Sequence, residues 1–195
     1  TIREIHHRVK NNLQTVSALL RLQSRRSSEE AVKVALAEAE RRVQAIATVH
    51  AALSQNVDES VDFDEVARTI VRMAGAIAST DHSVEVITTG SFGTIQADQA
   101  QALATVLNEL VANSVEHGLA DRDGLIEVRA EREGTSMTVT VADDGVGFVP
   151  GTPMSGLGTQ IVHQMVRGEL KGSIEWAPRE GGGTLVTLHA NLDPA

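Results

Sequence analysis

The stretch Asn108-Glu109-Leu110-Val111-Ala112-Asn113-Ser114-Val115-Glu116-His117 decides how this chain is read. Its apolar residues, with Leu103, Val106 and Leu107 before them, recur every three or four positions. That spacing predicts an amphipathic helix over residues 98–116, with Asp98 as its N-cap. Glu109 and Asn113 are four apart, so they share one face about one turn from each other. Oxygen ligands at that spacing suit a Mg²⁺ that keeps several waters and bridges phosphates. A solvated polar face has the same pattern, so the stretch acquires meaning from what surrounds it.

Downstream, residues 125–131 and 137–142 alternate as strands, joined in a hairpin across Glu133-Gly134-Thr135. Where the second strand ends stands Asp143-Asp144-Gly145-Val146-Gly147-Phe148. A carboxylate there can accept a hydrogen bond from an exocyclic amine such as that of adenine, and the glycines allow close backbone approach to a ligand. Gly156-Leu157-Gly158 opens a helix predicted over 157–169 and aims free N–H groups at an anion. Gly182-Gly183-Thr184 precedes the last strand, at 184–190, and reads equally well as a hairpin turn. With a helix at 64–78 and strands at 83–88 and 173–176, this half predicts a two-layer α/β sandwich with a mostly antiparallel sheet.

The 195 residues carry a net charge of -9, with 42% hydrophobic and 22% charged residues. That is globular composition, and the acidic balance argues against nucleic acid or an anionic membrane as partner. Three Phe, one Trp and no Tyr leave Ala, Val, Leu and Ile to build the core. Zero Cys excludes disulfides, thiol catalysis and Cys-ligated metal, and is consistent with a reducing compartment, so a cytoplasmic location is expected. No apolar run approaches the roughly 18 residues that cross a bilayer. Thr1 already sits inside a helical pattern, which reads as a fragment of something longer.

All 16 Gly and all four Pro fall after Ala74, so the first half is predicted helical. Ile2, Ile5, Val9, Leu13, Val16 and Leu20 form one stripe, and Val32, Leu36, Ala39, Val43, Ile46, Val49 and Leu53 a second. Between them, Ser27 and Glu30 have capping-box spacing. The result is a helical hairpin over 1–55, a polar linker, and the mixed module from 60 to 195. Two helices alone cannot enclose both stripes; a dimeric four-helix bundle buries them, unless the stripe packs on the second module of the same chain.

The four segments of the second half, in this order, resemble the N, G1, G2 and G3 boxes of the GHKL (Bergerat) ATP-binding fold, over roughly 60–192. The resemblance implies ATP with Mg²⁺, Asn113 as metal ligand and Glu109 organising metal and water. It implies Asp143 as adenine reader, Gly145 and Gly147 as pocket floor, and residues 149–155 as a lid hinged at Gly156 and Gly158. Leu157, His117 and Thr184 fall within the same boxes. No Walker-type Gly-x-x-x-x-Gly-Lys-[Ser/Thr] occurs, which removes the P-loop alternative.

In the first half, His7-Arg8-Val9-Lys10-Asn11 resembles the His-Arg-x-Lys-Asn phosphoacceptor box of HisKA_2 and HWE-type sensor histidine kinases. Helix geometry separates the two histidines independently. His6 lies about 60° from the centre of the apolar stripe and His7 about 160° from it, pointing outward. Asn11 stands one turn below His7, and Arg8 and Lys10 flank it, where they can offset phosphate charge. Glu4, about 60° from His7, either orients the imidazole or pairs with Arg8.

The resemblance thus implies a histidine kinase core that phosphorylates His7 from ATP and passes the phosphoryl group to an aspartate on a response regulator receiver domain. Glu116 departs from the pattern, since such kinases often carry Lys there; either it points away or His117 takes over. Two rivals remain. A GHKL serine kinase would lack the His-bearing hairpin, and a dimeric nucleotide-binding scaffold would bind ATP without transfer.

Overall fold

The computed structural model describes residues 1–76, 82–151 and 156–195. Two long antiparallel helices, α1 (Ile2–Arg26) and α2 (Glu30–Leu53), form the hairpin. The capping-box expectation is corrected: α2 starts after Glu29 with no side-chain cap, and the Ser27 hydroxyl accepts the Glu29 N–H instead. The seam between the helices is partly polar. Ser17, almost fully buried, receives the Gln44 amide at 2.7 Å, and Arg21 Nε donates to Glu40 at 3.0 Å.

The second module begins with β1 (Ser60–Asp62), then α3 (Phe63–Gly75), β2 (Val84–Gly90), β3 (Thr94–Gln96) and α4 (Ala97–Asn113). A π-helical turn (Ser114–Gly118) follows, then β4 (Gly124–Glu133), β5 (Ser136–Asp143), α5 (Leu157–Arg167), β6 (Ser173–Pro178) and β7 (Thr184–Asn191). The main sheet runs β2-β4-β5-β7-β6, antiparallel except for the parallel β2–β4 pair. The short β1 and β3 pair separately. Neither was legible, because three residues carry too little alternation to register.

Period-two alternation supplies the core. Ile126, Val128 and Ala130 of β4 stand opposite Asp143, Val141 and Val139 of β5, and Val141 and Val139 opposite Val186 and Leu188 of β7. The apolar members are all buried against the helices. Because Asp143 follows Val139 and Val141 at the same period, the pleat turns its carboxylate to the buried face. Helix α4 lies across this face and is buried almost throughout. Two helix boundaries differ from expectation. Gln96 rather than Asp98 is the N-cap of α4, and α3 ends at Gly75, with the tail of the 64–78 expectation partly outside the described residues.

The hairpin is not a free-standing unit. Ala45, Ala47, Val49 and Leu53 of α2 are buried, most of them in a single core continuous with α3 and α4. One apolar face of α2 is therefore covered by the same chain, while Ile2, Ile5, Val16, Leu19 and Leu22 of α1 remain exposed. Of the two routes open to the stripes, α2 thus takes packing on the second module of the same chain, and the stripe of α1 is left for a second copy.

Candidate functional site

A cavity of about 290 Å³ opens where α4, the π-helical turn, the end of β5, the start of α5 and the start of β7 converge. Its lining includes Glu109, Asn113, His117, Asp143, Gly147, Gly156, Leu157, Gly158 and Thr184. All four sequence-predicted segments thus meet at one place, although 75 positions separate Glu109 from Thr184 in the chain.

Asp143 is 3% exposed at the end of the central strand β5. Its Oδ1 accepts the Gly145 N–H at 3.0 Å. Burial pushes the carboxyl above the usual carboxylate range, against the hydrogen bonds from Gly145, Thr184 and Ser114 that favour its charge. Gly145 does not line the cavity itself; it lets two backbones touch beside Asp143. A Cβ on Gly145 would overlap the Gly118 carbonyl oxygen, which also accepts the Val146 N–H at 2.9 Å. Gly118, absent from the sequence reading, is constrained less severely, since a Cβ there would stand 2.8 Å from the side-chain oxygen Asp143 Oδ1.

Helix α4 was expected to run through Glu116. It instead widens at Ser114, where the Leu119 N–H reaches the Ser114 carbonyl at 2.8 Å, five residues back. Such π-turns interrupt α-helices frequently at functional sites. Here the change carries Glu116, His117 and Gly118 to the cavity wall.

Glu109 is not on a solvated face. Its side chain is 5% exposed, and Arg42 of α2 reaches it, Nε to Oε1 at 2.5 Å and Nη2 to Oε2 at 3.4 Å. The pairing holds the Arg42 guanidinium above its ordinary value. Gly158 closes over this pair: a Cβ there would stand 2.5 Å from Glu109 Oε2. Its lack of side chain thus serves packing against Glu109. Arg41, next along α2, lines the same cavity and lies 3.4 Å from Glu116. Glu38, Arg41, Arg42 and Trp176 also line the cavity and were missed. The arginines read as ordinary solvated helix charges, because only docking of α2 on α4 brings them here.

Glu109 and Asn113 fit a hard cation as a donor set: two oxygens one helical turn apart at the edge of a cavity with room for phosphates. Among the described residues no three His, Asp or Glu side chains are grouped to hold a metal, so remaining ligands would come from phosphate and water. In the present arrangement both Glu109 oxygens face Arg42. The lid expected at 149–155 falls largely on residues 152–155, outside those described.

At the hairpin, His6 is buried and its Nδ1 lies 2.9 Å from His50 Nδ1, whereas His7 is exposed. Asn11 Nδ2 lies 3.4 Å from His7 Nδ1. Glu4 pairs with Arg8 at 3.0 Å, which decides between its two readings and leaves Arg8 engaged with Glu4. The structure does not bring His7 to the cavity. Opposed pairs Ser17–Gln44 and His6–His50 set the hairpin register, so His7 lies about 15 Å along the axis from the level of Arg41.

Two family models cover nearly the whole chain. HisKA_2, described as histidine kinase, matches residues 4–77, and HATPase_c, described as histidine kinase-, DNA gyrase B- and HSP90-like ATPase, matches residues 98–194. The chain belongs to the histidine kinases. It is 46% identical to sensor histidine kinase PdtaS of Mycolicibacterium smegmatis, over 98% of this chain and 40% of that protein. It is 28% identical to blue-light-activated histidine kinase 2 of Erythrobacter litoralis, over 97% of this chain and 56% of the relative. The solved blue-light activated histidine kinase of Erythrobacter litoralis shares the fold at a TM-score of 0.71 and 22% identity, covering 97% of this chain and 59% of that structure. The chain thus spans about two fifths of the length of its PdtaS relatives. As a histidine kinase core it has an ATP-binding module of the GHKL type after a helical N-terminal region. No described helix is long and apolar enough to cross a membrane.

Proposed function

We propose that residues 60–195 bind ATP with Mg²⁺ and transfer its γ-phosphoryl group to His7 of the 1–55 hairpin, which passes it to an aspartate of a response regulator receiver domain. The observation that carries this reading is the convergence of Asn113, Asp143, the Gly156–Gly158 helix start and Thr184 on one cavity. Asp143 accepts the adenine amine, and the free N–H groups at the start of α5 face the phosphates. Asn113 would hold Mg²⁺ and Glu109, still paired with Arg42, would organise its water; the ion would offset charge on the transferring group. Leu157 and His117 border the phosphates, and Gly147 keeps the floor open.

At the acceptor, the Asn11 amide nitrogen faces His7 Nδ1, and a half-turn of the amide would put its oxygen there instead. With its oxygen facing the ring, the proton sits on Nδ1 and the Nε2 lone pair is free to attack phosphorus. The bond from phosphorus to Nε2 forms as the bond to the bridging oxygen breaks, and ADP leaves. Because His7 stands off the cavity here, transfer requires the hairpin to shift on the ATP module or a second copy to present its own His7. The exposed apolar side chains of α1 supply a face for such a homodimer.

The test is Mg²⁺-dependent labelling with γ-phosphate-labelled ATP. Acid-labile, alkali-stable label that disappears in His7→Gln and Asp143→Ala and persists in His6→Gln supports the proposal. ATP binding without label refutes it in favour of a nucleotide-binding scaffold, and acid-stable label moves the acceptor to Ser or Thr.

A further inference from the structure

The geometry points to Arg41 as the cation that receives the nucleotide phosphates, supplied to the ATP cavity by the hairpin and held by Glu116 until nucleotide binds. This assignment rests on the ATP reading above and extends it to a residue outside the ATP module. Three observations carry it. First, the cavity wall is rich in carboxylates (Glu38, Glu109, Glu116, Asp143), and among its described lining residues the only Lys or Arg side chains are Arg41 and Arg42, both from α2. A polyphosphate entering it needs positive charge, and Arg42 is committed to Glu109 through two contacts.

Second, Arg41 is incompletely satisfied. Its Nε is buried and has no hydrogen-bond partner among the described residues. A buried guanidinium N–H without an acceptor is costly, and a phosphate oxygen removes that cost. Third, the one ion pair it makes among the described residues, Nη2 to Glu116 Oε1, is 3.4 Å long. That is beyond the usual range of a charge-assisted bond, so Glu116 neutralises Arg41 without holding it tightly. Phosphate replaces this weak partner with a fork of donors on one anion. Since Arg41 rides on α2, nucleotide affinity becomes dependent on how the hairpin is docked, and a movement of the hairpin is transmitted to the phosphate site.

The experiment measures binding of ATP and of adenosine to the whole chain through Trp176, the chain's single tryptophan, which lines the cavity. Arg41→Gln is expected to weaken ATP about tenfold and to leave adenosine unchanged. Arg41→Lys, which keeps the charge but not the fork or the Nε donor, is expected to recover only part of that loss. Glu116→Gln removes the competing carboxylate and strengthens ATP binding when Arg41 is present, with no such gain in the Arg41→Gln background. Unchanged ATP affinity in Arg41→Gln, an equal loss for adenosine, or a Glu116→Gln gain independent of Arg41 would each overturn the assignment while leaving the ATP site standing. A wild-type chain that binds adenosine and ATP equally, or neither, would overturn the assignment together with the reading beneath it.

Discussion

Replacing Arg42 by Met tests whether the hairpin is docked on the ATP module in solution. The substitution keeps most of the side chain's length and apolar stem and removes only the guanidinium. Glu109, 5% exposed, then loses the two contacts that neutralise it, while Arg42 itself is 19% exposed in the wild type. Breaking a buried ion pair from one side costs about 3–5 kcal/mol, and the residual exposure of Arg42 puts this one near the lower end, about 3 kcal/mol. In a chain of this size that lowers Tm by about 6–12 °C. Urea denaturation followed by Trp176 fluorescence reads the loss within the ATP module, far in sequence from the substitution. Glu109→Gln in the same background removes the orphaned charge, so the pair should show a coupling of about 2 kcal/mol in a double-mutant cycle. A loss under about 0.5 kcal/mol with no coupling would refute the reasoning, since surface pairs behave that way.

Asp143→Asn should raise stability at neutral pH by about 1 kcal/mol, because burial disfavours its charge, and should abolish ATP binding if the proposed adenine contact needs that charge; calorimetry with and without ATP checks both halves. Gly145→Ala should destabilise by about 2 kcal/mol and weaken nucleotide binding, as its Cβ would collide with the Gly118 backbone rather than a movable side chain. Burial, and then the charge of His6, lower His50 from its ordinary 6.5. The unfolded chain therefore binds the proton first, and stability is lost as pH falls from about 6.5 through the lower folded value. Tm followed from about pH 7.5 to 5.5 should drop in the wild type and drop less in His50→Phe. Asn11→Leu should reduce labelling of His7 while leaving ATP affinity intact, and Asn11→Asp should retain labelling, if the amide sets the imidazole tautomer.

Local patterns in the sequence were sufficient wherever a residue's role depends on its own element. The alternation of Val139, Val141 and Asp143 turns a carboxylate inward at a strand end whatever packs above it. The 3.6-residue period likewise separates His6 from His7: the structure buries the first and exposes the second. The four boxes were legible for the same reason, each being a short run with its own backbone chemistry.

What the sequence could not contain is the docking of one amphipathic helix on another. Arg41 and Arg42 have the pattern of a solvated face, and Glu109 the pattern of an exposed turn; packing of α2 on α4 buries Glu109 and much of both arginines and turns two neutral-looking features into an interdomain ion pair. The π-helical turn at Ser114 has the same origin, for nothing local distinguishes those five residues from a continuing α-helix. Periodicity encodes which side of an element is apolar, and the glycine runs encode where backbones can approach closely. Which charged faces meet across two modules depends on distances between residues 67 and 75 positions apart, and only the folded chain sets those.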